Sequence, residues 1–442
     1  MILSRRVSLN VQGSKDFGLD CKRPILAEKA RLGPELFPVV ADWEQEILKE
    51  NSVPLQSAAD TGEAVMTRRT ILPGFTFCLV ALIGAGLLPV LPVRAESQRY
   101  VVIDQDAVGP AGTDMNSILI FLQSPGVKVL GITVVTGDGW RDEEVAHTLR
   151  LLELVGRTDV PVHAGAAFPL VRTQEWTHTW EQLYGKVPYQ GAWNSRRGEH
   201  APFEVPPLRE GAPTTKAAAE DAAHFLVRMV HEHPHEVTIY AAGPMTNIAL
   251  AIALDSNFAS LAKELVIMGG SLRPAGDDPE YLDNPRREFN LWFDPEAASM
   301  TLRAPWPRIA VTPVDVSIET HLTKEMVEQM GSCKGDAAQY ISRFTQKPGD
   351  YLWDELAAAA WLKPELITQE RFNYIDVSTD KGASYGDTLT WSDSTKPAYQ
   401  LQKAHIQIHV DFPAFQRFFV DLMCAPTPEA HNPMIEQQKR PE

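Results

Sequence analysis

"RYVVIDQDAVGPAGTDMNSILIFLQSPGVKVLGITVV", residues 99–135, reads as strand, loop, helix and strand. Its outer parts, "RYVVID" and "VKVLGITVV", are short runs rich in Val and Ile, whereas "SILIFLQS" between them carries apolar residues at helical spacing. The alternation continues downstream. "EEVAHTLRLLELVG" is a helix ending at Gly156, and "DAAHFLVRMVHEH", "NIALAIALD" and "DPEAASMTLRA" are helices interleaved with the strands "EVTIYAAG", "ELVIMGG" and "RIAVTPV". In "DPEAA", Asp294 suits an N-cap, Pro295 the first helical position and Glu296 the positive end of the helix dipole. Repeated strand–helix alternation predicts an α/β fold: an open, mostly parallel sheet with helices on both faces and a Rossmann-like core.

Composition narrows the function. The chain has 442 residues, 44% hydrophobic and 22% charged, enough to bury a large core. Its net charge of −16 repels polyanions, and no block of Lys and Arg interleaved with aromatics offsets it, so nucleic acid is not an expected partner. Cys21, Cys78, Cys333 and Cys424 show no metal-ligand spacing; a Cys333–Cys424 bridge is left open.

Met66 begins a second pattern: "TRRT", the apolar run "ILPGFTFCLVALIGAGLLPVLP", then "VRAES". Basic, apolar and small residues in that order are the layout of a secretory signal cut after Ala95, and Arg68–Arg69 resemble a twin-arginine signal. A retained membrane anchor is the alternative, disfavoured by Pro73, Pro89 and Pro92. The expected organisation is a leader or mis-assigned start over 1–65, a signal over 66–95, one exported domain over 96–425 and a disordered tail over 426–442. Localisation is expected to be periplasmic or extracellular, with the membrane met only through the export segment.

In such a sheet, ligands bind beyond the carboxyl ends of the strands. Asp104 and Asp106 stand at one such end, with Asp114 shortly after. Like charges so close are costly without a compensating cation, and an oxygen-only set without His or Cys suits a hard ion such as Ca²⁺ or Mg²⁺. The competing reading is that each Asp caps a turn. "GPMTN", with Thr246 and Asn247, begins a helix at another strand end.

From about Tyr100 to Met423 the chain resembles the calcium-dependent nucleoside N-ribohydrolases, also called inosine-uridine-preferring nucleoside hydrolases. The ordered blocks "VVIDQD", "LGITVVTGD", "GPMTNIALAI", "ELVIMGG", "REFNLWFDPEAA", "VTPVDVS" and "WDELAAAAWLKPELI" carry the likeness. The resemblance implies hydrolysis of a nucleoside to base and ribose by a Ca²⁺-bound water. It implies Ca²⁺ on Asp106, Asp114, Asp354 and the main-chain oxygen of Thr246, with Asp106 as base and Asp104 as a supporting carboxylate. Glu288, Asn290, the backbone of Met268 and a loop Asn, for which Asn284 is the candidate, are implied to hold the sugar. A homodimer or homotetramer is implied as well. Carboxylates beneath a sugar fit this chemistry, because the transition state is oxocarbenium-like.

The chain departs from the family at three places. The family opens Asp-x-Asp-x-Gly-x-Asp-Asp; here the loop Ala107–Thr113 is longer, and counting back from Pro125 puts Thr113 where the first paired Asp belongs. Asp138 stands where Asn is usual, and Trp353 where a His often precedes the last metal Asp. Trp353 can stack on a base but cannot protonate it. "EWTHTWEQLYGKVPYQGAW" offers an aromatic wall, with His178 or a Tyr as proton donor; its rival reading is plain loop packing. Two other functions stay open at this point: a non-catalytic nucleoside- or sugar-binding protein, and a Mg²⁺-dependent phosphatase of the haloacid-dehalogenase type suggested by "VVIDQDAV".

Overall fold

A computed structural model describes residues 98–194, 199–274 and 286–428. Residues 1–95, the tail beyond 428 and Asn284 lie outside the described residues. In chain order the elements that matter here are β1 (Arg99–Gln105), α1 (Thr113–Gln123), β2 (Val127–Val134), α2 (Arg141–Leu154), β3 (Val162–Ala164), α3 (Gln174–Tyr184), α4 (Ala222–Glu232), β4 (Val237–Ala242), α5 (Thr246–Leu254), β5 (Glu264–Met268), α6 (Phe289–Phe293), α7 (Pro295–Arg303), β6 (Ile309–Thr312), α8 (Trp353–Leu362), β7 (Ile367–Val377), β8 (Thr388–Trp391), β9 (Lys403–Val410) and α9 (Phe412–Cys424).

The strands form one sheet in the order β3-β2-β1-β4-β5-β6-β9-β7-β8. All pairings from β3 across to β9 are parallel, and β7 runs antiparallel between β9 and β8. The mostly parallel sheet is therefore as expected from the alternation. The antiparallel edge was not anticipated, because β7 to β9 follow one another without a helix between each pair.

Burial alternates along β1 in the way a two-sided sheet demands. Val101 and Ile103 join the core beneath α1, α8 and α9, while Val102 joins the core beneath α4, α5 and α7. Both faces are covered, which is why the strand reads as an unbroken apolar run. Each fully buried Ile or Leu of this kind contributes roughly 1.5–3 kcal/mol. Cys333 and Cys424 are disulfide-bonded, tying the end of α9 to the chain 91 residues earlier.

β1 has β2 on one side and β4 on the other, so the chain leaves it in one direction and returns on the opposite side. That reversal opens a crevice beyond the carboxyl ends of β1 and β4. Gln105 pairs with Ala242 at its mouth.

Candidate active site

Asp104, Gln105 and Asp106 leave β1 into this crevice, and each is buried. Asp104 lies beside Thr133 in the register, and its Oδ1 accepts from Thr133 Oγ1 at 2.5 Å and from Asn247 Nδ2 at 2.8 Å. Burial raises its carboxyl to about 7, against those two hydrogen bonds. The side chain thus joins β1, β2 and α5, which is a supporting position.

Asp106 is the most crowded carboxylate. Its Oδ2 accepts from the Asp138 backbone N–H at 3.0 Å. A Cβ on Gly137 would lie 2.1 Å from that oxygen, and one on Gly243 would lie 2.8 Å from Asp106 N. The glycines of "TGD" and "AGP" therefore let two neighbouring strand ends close on one carboxylate. Burial, then Asp138, Asp114, Glu144 and Asp354, push the Asp106 carboxyl well above the ordinary range.

Asp114 enters from the first turn of α1, its Oδ2 held by Val108 N–H at 3.0 Å across the enlarged loop. Asp354 enters from the first turn of α8 and is held at three points. Gln105 Nε2 donates to its Oδ2 at 2.7 Å, its N–H donates to Thr113 Oγ1 at 2.9 Å, and its carbonyl accepts from Tyr240 at 2.9 Å. Burial and the neighbouring Glu355 raise its carboxyl well above the usual range, with the Gln105 bond opposing. Thr113 does not face the crevice as a lone hydroxyl: it donates to Glu355 Oε2 at 2.6 Å. Glu355 and Gln105 were not singled out from sequence. The available signal was a polar residue in an apolar strand and an acid inside an apolar helix, each needing a buried partner.

The sugar-side candidates also converge. Glu288 is buried and caps α6, accepting from Asn290 N–H and Leu291 N–H, and from Gly270 N–H at 2.8 Å. Burial raises its carboxyl, while those three bonds lower it. Asn290 Nδ2 donates to the Met268 carbonyl at 3.1 Å, joining the end of β5 to α6. Thr246 begins α5, and its hydroxyl donates to Asp294 Oδ2 at 2.7 Å. Its side chain is thus committed to the fold, leaving the main-chain oxygen as its candidate ligand. Asp294 also caps α7, as its sequence position suggested.

The aromatic segment behaves differently from the expected wall. Trp180 and Trp193 are buried in a third core with Trp292, Phe289 and Phe293. His178 is exposed on α3, opposite the buried Thr177, Trp180 and Glu181. An i, i+3, i+4 pattern centred on Trp180 leaves His178 facing solvent. Tyr189 is the member that arrives: it hydrogen-bonds Asp138 and packs against Phe289 with ring centroids 4.9 Å apart. Burial and the nearby acids raise its phenol well above the usual range. Trp353 opens α8 half-buried, 4.5 Å from the Tyr351 ring, which is itself 4.5 Å from His321.

The donor set fits a hard divalent cation in its chemistry. It consists of oxygen atoms, several of them carboxylates; burial and then their mutual repulsion raise Asp106, and a cation would relieve that repulsion. Its side chains are held apart by protein donors: among the described residues no three of His, Cys, Asp or Glu close into a ready-made metal cluster.

Comparison with known proteins points to one family. Residues 101–417 match the family described as "Inosine-uridine preferring nucleoside hydrolase". Uridine nucleosidase 1 of Arabidopsis thaliana is 31% identical over 300 residues, covering 65% of this chain and 81% of the relative. The pyrimidine-specific ribonucleoside hydrolase RihA of Photobacterium profundum is 27% identical over 337 residues, covering 74% and 97%. Among solved structures, the plant nucleoside hydrolase PpNRh1 shares the fold with a TM-score of 0.59 at 24% identity, covering 74% of this chain and all of that one.

Proposed function

The chain belongs to the inosine-uridine preferring nucleoside hydrolase family and hydrolyses the N-glycosidic bond of nucleosides, and we propose that it does so at the Asp106–Asp114–Asp354 cluster with Ca²⁺ as cofactor. The observation that carries this reading is Asp106: a buried carboxylate flanked by like charges from the loop after β2 and from α1, α2 and α8. When bound, a hard cation supplies compensating charge, acidifies water and accepts sugar hydroxyls.

The protein's own groups account for the rest. The ring of carboxylates stabilises positive charge developing on the sugar as the bond to the base lengthens. Asp106 takes a proton from the attacking water on its carboxylate, oriented by the Asp138 N–H on Oδ2. Asn290, Glu288 and Met268 make a rigid sugar-binding edge. Trp353, beside Tyr351, is assigned the base as a stacking partner, and Tyr189 meets the site through Asp138.

The export reading is supported by the Cys333–Cys424 bridge, since disulfides persist in oxidising compartments. Among the described residues no helix is long and apolar enough to cross a membrane. An exported hydrolase of this class would scavenge bases from environmental nucleosides.

Incubation with uridine, inosine, cytidine and adenosine, with Ca²⁺ or after chelation, tests the proposal through release of free sugar. Ca²⁺-dependent release is expected. Undiminished release after complete chelation, with no return dependence on Ca²⁺, would overturn the metal assignment.

A further inference from the structure

α1 and α8 each deliver one carboxylate of the cluster, Asp114 and Asp354, from their first turns. Neither helix has a side-chain cap of its own: the residue before α1 is Gly112, and the one before α8 is Leu352. The N–H groups of a first helical turn lack intrahelical partners and must be satisfied from elsewhere. For α8 that partner comes from the other helix, since Thr113 Oγ1 accepts from Asp354 N–H at 2.9 Å.

The same hydroxyl donates its proton to Glu355 Oε2 at 2.6 Å, and the second Glu355 oxygen accepts from Asn116 Nδ2 at 2.9 Å. Thr113 and Asn116 are one turn apart on α1, so Glu355 grips that helix at two points while Thr113 grips α8 in return. Asn116 and Glu355 are buried, and a cavity of about 520 Å³ runs alongside them. The buried Asn116–Glu355 bond and the two partly buried bonds of Thr113 together resist sliding of one helix start past the other.

We propose that Thr113, Glu355 and Asn116 form a clamp that fixes the separation of Asp114 and Asp354, making Thr113 and Glu355 positioning residues for the cation. The inference rests on the metal reading above. It gives the threonine at the start of α1 a task that a second carboxylate there could not perform, because an ionised carboxylate has no proton to donate to Glu355. The clamp works through hydrogen-bond geometry, and Glu355→Gln should therefore preserve it. Gln can accept from Thr113 with Oε1 and donate through Nε2 to Asn116 Oδ1 once that amide flips, and Asn116 Oδ1 has no partner in the native arrangement. Glu355→Leu and Thr113→Val cannot make these bonds.

Calorimetric titration of Ca²⁺ into the metal-free full chain reads the clamp directly, alongside thermal unfolding in chelator to confirm that each variant is folded. Thr113→Val and Glu355→Leu are expected to weaken Ca²⁺ binding by roughly 10- to 100-fold, the range typical of lost supporting contacts around metal ligands. Glu355→Gln is expected to stay within about threefold, well below that range. Should Glu355→Leu fail to fold, Thr113→Val decides. Wild-type affinity in Thr113→Val overturns the clamp, and so does a Glu355→Gln loss as large as that of Glu355→Leu, which would assign Glu355 a charge effect. Absence of Ca²⁺ binding by the native protein overturns the metal reading and the clamp together, whereas native binding with unaltered variants overturns the clamp alone.

Discussion

Two groups of buried carboxylates meet at α2, and they titrate in opposite directions. Asp106, with Glu144 of α2 among its neighbours, is pushed well above the ordinary range by burial and like charge. Glu143, next along the same helix, is held below its ordinary value: burial would raise it, but His147 and His200 outweigh that. His147 in turn contacts Glu210, whose side chain is buried. Where the fold supplies an imidazole, a buried acid is compensated internally; around Asp106 the neighbours with the largest influence are all acids. The Glu143 group is complete as folded, while the Asp106 group is the one that the proposed cation would compensate.

The sharpest way to break this contrast is Asp106→Asn. It removes the proposed base and one cation ligand, and kcat for nucleoside hydrolysis should fall by roughly 10²- to 10⁴-fold. With less like charge in the cluster, the metal-free protein should unfold at an equal or higher temperature than the native one. A variant retaining native kcat would remove Asp106 from the chemistry.

A smaller effect is expected at Tyr189. Replacing it with Phe keeps the packing on Phe289 but deletes the hydrogen bond to Asp138, a change worth about 0.5–1.5 kcal/mol. Steady-state kinetics should show that loss mainly in KM if Asp138 faces bound sugar. Unchanged kcat and KM would reduce the pair to a structural contact.

The smallest effect is on the compensated side, and it depends on pH. Burial tends to lower the His147 value, but hydrogen bonds and charge from Glu143 and Glu210 raise it above 6.5. A raised folded value stabilises fully below the unfolded value and is lost as pH rises through the folded one. The lowered Glu143 acts in reverse, its contribution present above 4.5 and lost as pH falls. The two overlap between 4.5 and 6.5. His147→Gln should therefore cost more unfolding free energy near pH 5.5 than near pH 8.5. Equal losses at both values, by urea denaturation, would show that the imidazole acts only by packing.

How much of this was legible in the sequence varied with the range of the interaction. The strand character of "VVID", the α/β alternation and the Asp294 cap depend on neighbours a few residues away, and each is found in the structure. His178 was offered as a base-side candidate from its position among aromatics, but its exposure is set by helical phase, which the burial of Trp180 fixes. Trp180 and Trp193 looked like a ligand wall but fill a core, since aromatic content alone does not distinguish the two. Gln105, between two acids, was not singled out from sequence. Its side-chain amide holds the Asp354 carboxylate, 249 positions away.

The sequence by itself determined the layers of the fold and the acids at the end of β1, because hydrophobic period and turn chemistry are local properties of the chain. Which groups meet those acids was decided only by tertiary structure. Thr113 and Glu355 lie 242 residues apart, and their pairing follows from α1 and α8 starting side by side over one sheet. A buried hydrogen bond between distant residues has no local sequence pattern, since it exists only when packing brings donor and acceptor together and removes the water that would otherwise satisfy both.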